Sequence, residues 1–236
     1  MCKIAREAWS KQQLLQLELV AEMLALAGDS ATAPKALNHL ISDSTTLETF
    51  LASGWEHEET RLTPRQQTLF ALDIASSMLQ FQQTSWFTTP WNSKTIRFLV
   101  ADGTTVGVFI EQDLEVPKQT STSPPPGLES PVPHSALLEL AILLLEIWHH
   151  KPFEMWASKA RDEPQEVRTE DQRRIVATRW LQATSERLPL DYLTAVEQCL
   201  AICSGRLRHW GDDEFQRYYC ENIIKPLLES CKAWVR

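Results

Sequence analysis

The run from His134 to His150, HSALLELAILLLEIWHH, constrains this chain more than any other stretch. Written onto a 3.6-residue period it is apolar nearly all round. A helix there has almost no face to offer water and must be wrapped by other elements. It cannot be a membrane span, which takes about 20 apolar residues, and Glu139 and Glu146 interrupt it. The expectation is a buried axial helix, capped at Ser135, with the rest of the chain supplying its cover.

The remainder is suited to that task. Leu14, Leu17, Val20, Ala21, Leu24 and Ala27 recur at helical spacing, so Lys3 to Ala27 reads as a helix stopped by Gly28. A short helix is expected from Lys35 to Ile41. In DSTTLETFLASG, Thr45 or Thr46 caps another, with Leu47, Phe50 and Leu51 as its apolar face. LTPRQQTLFALDIASSMLQFQ opens with Thr63 as cap and Pro64 at the first helical position. Phe70, Ile74, Met78 and Phe81 form its stripe, widened by Leu72, Ala75 and Leu79. KARDEPQEVRTEDQRR reads as a polar, solvated connection. RIVATRWLQATSERL, LDYLTAVEQCLAICSG and DEFQRYYCENIIKPLLESCKAWV read as helices, the last bent or interrupted at Pro226.

Two stretches break the helical pattern. In TIRFLVADGTTVGVFI, Ile96, Phe98 and Val100 alternate with Arg97 and Leu99, Asp102-Gly103 signals a tight turn, and Val106 to Ile110 is mostly β-branched or aromatic. That is one β-hairpin. The proline- and serine-rich residues from Glu115 to Pro133 form a long loop. With 7 glycines in 236 residues, an all-β sandwich and a glycine-rich dinucleotide fold are both disfavoured.

A formal net charge of −8 and no long basic run argue against nucleic acid as a partner. The clusters Lys159-Ala160-Arg161 and Arg206-Leu207-Arg208-His209 read as solvated surface charge. The cysteines, Cys2, Cys199, Cys203, Cys220 and Cys231, are odd in number and form no disulfide framework. With no secretory h-region at the N-terminus, a reducing, cytoplasmic setting is expected. Cys199 and Cys203 share a helix face, but His209 and Cys220 are too far apart to complete a zinc site, so packing is the preferred reading. His149 and His150 point in different directions and suit the negative end of a helix dipole better than a metal. His134-Ser135 lacks the third group of a triad. Of 9 tryptophans, Trp86, Trp91, Trp148 and Trp156 are expected to pack around the hairpin and axial helix.

The order of short helix, long amphipathic helix, loop, hairpin, long loop and buried axial helix resembles the C-terminal lobe of a protein kinase. TLETFLASG is similar to the helix after the kinase hinge, and TTPWNSKTIRFLVADGTTVGVFI to the catalytic loop and its hairpin. More narrowly, LTPRQQTLFALDIASSMLQFQQTSWF, WNSKTIRFL, PHSALLELAILLLEIW and FQRYYCENIIKPLLE resemble a fungal family of kinase-like domains of unknown function. In larger members of that family the domain is similar to the module behind HeLo-type prion-inhibition domains. The resemblance covers roughly Thr46 to Leu228 and implies fungal self/non-self or cell-death signalling.

Kinase chemistry needs a carboxylate for the substrate hydroxyl, an amide and a second carboxylate for magnesium, and a lysine for the phosphates. Set against the H-R-D-x-x-x-x-N pattern, Thr88, Thr89 and Pro90 stand for His, Arg and Asp, and Thr95 for the metal-binding Asn. Where D-F-G is expected, Ile110-Glu111-Gln112 stands; Glu111 and Asp113 are candidate displaced acids, or plain solvated loop acids. The position of the axial-helix Asp that would hold the catalytic loop falls near Ala136, so that internal contact is expected to be absent. No glycine precedes Gly28, and the segment before Thr46 is short for an ATP-binding lobe.

The resulting expectation is a mainly α, kinase C-lobe-like helical domain with one β-hairpin, over residues 46–236, behind an N-terminal helical segment at 1–45. It is expected to be pseudokinase-like, without catalysis, cofactor or metal, and to bind a protein partner, with the Lys3 to Ala27 helix covering the groove left by an absent lobe. The alternatives are a divergent nucleotide-binding enzyme using Glu111 and Asp113, or a truncated product of a larger kinase-like protein.

Overall fold

The computed structural model describes residues 17–20, 23–26, 45–53, 61–82, 87, 89–101, 104–110, 133–159, 169–202 and 209–234. The chain divides into two compact units, residues 1–44 with 99–107, and residues 45–98 with 108–236.

In the first unit, β1 (Leu17–Val20) and β2 (Met23–Leu26) form an antiparallel hairpin. This overturns the helix expected over Lys3 to Ala27 in its last part, and the single-hairpin count. The register sets Leu17 opposite Leu26, Leu19 opposite Leu24 and Val20 opposite Met23. Those apolar cross-strand pairs are the sheet's equivalent of helical neighbours. Leu17-Glu18-Leu19 also fits a period of two, and a short leucine-rich run cannot be assigned by periodicity alone. Residues 3–16 and the helix expected at Lys35 to Ile41 lie outside the described residues.

The second unit is helical. The helix α1 (Leu47–Ser53) starts where expected: the Thr49 amide donates to Thr46 Oγ1 at 3.1 Å, and Leu47, Phe50 and Leu51 are buried. The helix α2 (Pro64–Phe81) carries a complete capping box, Thr63 Oγ1 accepting from the Gln66 amide while Gln66 Oε1 accepts from the Thr63 amide. Replacing Thr63 with Ala is expected to destabilise the domain by about 1 kcal/mol in urea unfolding. An unchanged midpoint would show that α2 is held by packing alone. Phe70, Ile74 and Met78 face the core as expected, but Phe81 is 39% exposed.

The expected hairpin is present as β4 (Ile96–Ala101) and β5 (Thr104–Ile110). The two-residue β3 (Thr45–Thr46) pairs antiparallel with β4, so this sheet runs β3-β4-β5.

The axial helix α3 (Pro133–His149) begins at Pro133, two residues before the expected cap. Proline suits the first turn, where its missing N–H costs nothing. Ser135 instead donates from its hydroxyl to Glu170 Oε2 at 2.9 Å. From Ala136 to Ile147 all of α3 but Glu139 is buried. Around it pack α2, α4 (Phe153–Lys159), α5 (Glu170–Thr184) and α6 (Leu190–Ile202). The TEDQRR end of the supposed solvated connection is in fact the capped start of α5: Thr169 and Gln172 form a second capping box.

The final helix is broken, as Pro226 required. Helix α7 (Asp213–Tyr219) passes through a π-helical turn, Cys220–Ile224, into α8 (Lys225–Ala233), which packs on α2 and α6. The Lys225 amide bonds back to the Cys220 carbonyl. One widened turn keeps the Pro226 ring from the carbonyl four residues back without ending the helix.

Candidate functional site

The stretch matched to a catalytic loop is a closed turn. The Asn92 side chain accepts from the Lys94 amide at 2.9 Å. Thr95 Oγ1 accepts from the Asn92 amide at 3.0 Å and donates to the Asn92 carbonyl at 3.1 Å. These are the local bonds by which Asn and Thr shape turns. Thr95, matched to a metal-binding Asn, thus spends its hydroxyl on its own turn. Pro90 is half-buried, and Trp91 packs edge-on to Phe87 at 5.2 Å. Thr88, Glu111 and Asp113 lie outside the described residues.

The turn is tethered to the axial helix, which the comparison with kinases did not lead one to expect. The contact is not at Ala136 but three turns further on. Ser93 donates from Oγ to Glu146 Oε1 at 3.2 Å, and the Phe153 amide at the start of α4 donates to the same oxygen at 2.7 Å. Glu146 therefore joins the turn, α3 and α4. It is 3% exposed, and Oε2 finds no hydrogen-bond partner among the described residues. Burial outweighs both hydrogen bonds and pushes its pKa from the usual 4.5 up to about 8, so the carboxyl is neutral at pH 7.

Two helical turns nearer the start of α3, Glu139 is held differently. Arg173 of α5 grips it with a two-pronged contact, Nε to Oε1 and Nη2 to Oε2, both at 2.9 Å. The same guanidinium reaches Glu154 of α4 at 3.3 Å and lies 5.0 Å from the centre of the Phe153 ring. Even so, burial leaves the Glu139 carboxyl above its usual range. Glu139, Glu146, Arg173 and the 92–94 segment line a cleft of about 170 Å³, with Glu48 at its mouth, 3.9 Å from Lys94.

The far end of α3 is closed by side chains. Gln67 Nε2 donates to the Ile147 and Trp148 carbonyls, both at 3.0 Å, satisfying acceptors that a helix end leaves open. His150 follows with φ 49°, in the left-handed conformation that ends many helices, and its Nε2 lies 3.1 Å from the Leu62 carbonyl. The dipole reading of the two histidines does not hold. Burial, with Arg187 and Lys151 nearby, lowers His149 to about 4, and burial also lowers His150, so both are neutral at pH 7. His149 stacks on Trp180 at 5.5 Å.

The remaining candidates are structural. Cys199 is buried in α6, while Cys203 lies outside the described residues. Trp148 donates from Nε1 to the Arg187 carbonyl and packs on Tyr192, and Trp156 stacks on Trp180 at 5.4 Å. Trp86 lies outside the described residues. Among the described residues, no group of three or more His, Cys, Asp or Glu could hold a metal ion, and no helix is long and apolar enough to cross a membrane.

Reading the loop for lost catalytic residues passed over Ser93, Glu146 and Arg173. The available signal was chemical: Glu139 and Glu146 are the two charged residues in an otherwise apolar axial run, and a buried acid demands a partner. No curated protein and no solved structure matches the chain. A family model described as a domain of unknown function, DUF7580, matches residues 1–234, nearly the whole sequence, and the chain belongs to that family.

Proposed function

We propose that this chain is a non-catalytic interaction or regulatory module on a kinase C-lobe-like helical scaffold, in the fungal self/non-self or cell-death signalling that its resemblance implies. The supporting observation is the use made of the Asn92–Thr95 turn. Its polar side chains serve the turn itself and Glu146, and Thr88 to Val100 contains no acidic residue. Phosphoryl transfer needs carboxylates facing outward to a nucleophile and to magnesium. Here Asn92, Ser93 and Thr95 spend their side chains on the turn and on a buried acid, and Lys94 is exposed beside Glu48.

The test is thermal unfolding of the full chain with ATP, with and without magnesium. A ligand at 100 times its dissociation constant stabilises a fold by about 2.7 kcal/mol, an easily read shift. No shift is expected. A magnesium-dependent shift that disappears when Glu111 and Asp113 are replaced with Ala would overturn the proposal in favour of a divergent nucleotide binder.

A further inference from the structure

Buried acids in a fold are ordinarily paired with a base or solvated. Glu146 is neither. Its nearest charged neighbours are engaged elsewhere: Arg173 of α5 holds Glu139 and Glu154, and Lys94 of the turn lies beside Glu48 of α1. Glu139 of α3 itself and Glu154 of α4 bring negative charge to the same cleft. Gln67 of α2 and Tyr192 of α6 bond to backbone carbonyls of α3, at Ile147, Trp148 and Leu144. One oxygen of Glu146 holds two segments at once, while the other has no partner among the described residues. Beside it lies the cleft of about 170 Å³, room for several water molecules.

We propose that the Glu146 carboxyl is a proton-operated latch, holding the Asn92–Thr95 turn and the start of α4 against α3 when neutral and releasing them to a water-filled cleft when ionised. The two hydrogen bonds at Oε1 favour the ionised form and burial opposes it, and burial is the larger effect. A carboxylate at this position must find water or a cation for Oε2, since an isolated buried charge is strongly disfavoured. The cleft is the nearest place from which water can reach it, and the turn lines that cleft. Ionisation therefore draws the carboxylate, and Ser93 with it, toward solvent. Burial holds this carboxyl well above the usual carboxylate range, which places the latch in mildly alkaline solution. The latch would allow a partner that supplies a cation to Glu146 to open the turn at lower pH. It does not depend on the proposed absence of catalysis.

Amide hydrogen exchange on the full chain, corrected for the intrinsic pH dependence of exchange, tests this at pH 6.5 and 9. Protection of the Thr95, Ile96 and Phe153 amides is expected to fall about tenfold relative to amides within α6, the factor that one pH unit beyond the midpoint of a single carboxyl gives. E146Q, which keeps a neutral group of the same shape, is expected to lose this difference. Equal pH dependence in E146Q, or no loss in the unaltered protein, would overturn the latch. Should E146Q fail to fold, ¹³C-carboxyl NMR of the unaltered protein decides. A Glu146 titration centred near the usual 4.5, or one that leaves the Thr95 and Phe153 amide shifts unmoved, overturns the proposal.

Discussion

Replacing Arg173 with Met is expected to destabilise the helical unit by about 3 kcal/mol, lowering its unfolding temperature by roughly 10 °C. The effect is large because Arg173 is not a surface ion-pair residue. Its side chain is 23% exposed and that of Glu139 15%, and one guanidinium joins α5 to both α3 and α4. Methionine replaces the stem and keeps contact with Phe153, but leaves Glu139 desolvated and unmatched. Lysine would restore the charge without the two-pronged grip, so R173K should fall between the two. The double variant E139Q/R173M should lose less than the sum of its single changes, because each single change damages the same contact. Urea unfolding of the unaltered protein, R173M, R173K, E139Q and the double variant measures all of this. A loss below about 0.5 kcal/mol for R173M would put the contact in the class of exposed pairs, which contribute little.

The parts of the fold that were legible in the sequence were those where one local signal settles the structure. Thr63-Pro64 marked the start of α2, Asp102-Gly103 lay between two strands, and Pro226 broke the final helix. The axial run was legible for a different reason: a helix with no polar face has one possible place, whichever elements cover it. Leu17 to Leu26 was misread because leucine, alanine and glutamate fit a helix period and a strand period equally over ten residues, and pairing decided between them. Most of the candidate site was hidden for the same underlying cause. Ser93, Glu146 and Arg173 are separated by 53 and 27 positions, and nothing in their spacing announces that α3 and α5 bring them to one cleft. The kinase-like comparison drew attention to the turn after Pro90 and to the Ala136 end of α3, and expected no contact between them. The turn is tethered instead at Glu146, to which Ser93 donates.

Stability of the whole chain should be greatest near pH 6.5 and fall on the alkaline side by about 2 kcal/mol up to pH 8. Two opposing groups set that shape. Glu146 has a raised pKa, moving from 4.5 unfolded to about 8 folded. The folded state keeps a proton that the unfolded chain releases, so its contribution is fully present below pH 4.5 and is lost as pH rises to about 8. Glu139, also raised, acts in the same direction just above 4.5. His149 has a lowered pKa, from 6.5 to about 4, and its contribution is present above 6.5 and lost as pH falls to about 4. His150 is lowered too and adds to that acid-side loss. Between 4.5 and 6.5 the acids and the histidines pull against each other, which flattens the curve. Above 6.5 these two histidines have already deprotonated in both states, and among the described residues Glu146 sets a slope of about 1.4 kcal/mol per pH unit until its own midpoint. E146Q should flatten the alkaline limb and, with Glu146 no longer opposing the histidines, steepen the acid limb between 4.5 and 6.5, whereas H149F should weaken the acid limb and extend the alkaline fall down toward 4.5, keeping a ring on Trp180 without the proton. Urea midpoints from pH 4 to 9 for the three proteins decide it. An alkaline limb that survives in E146Q would mean that another group carries the proton.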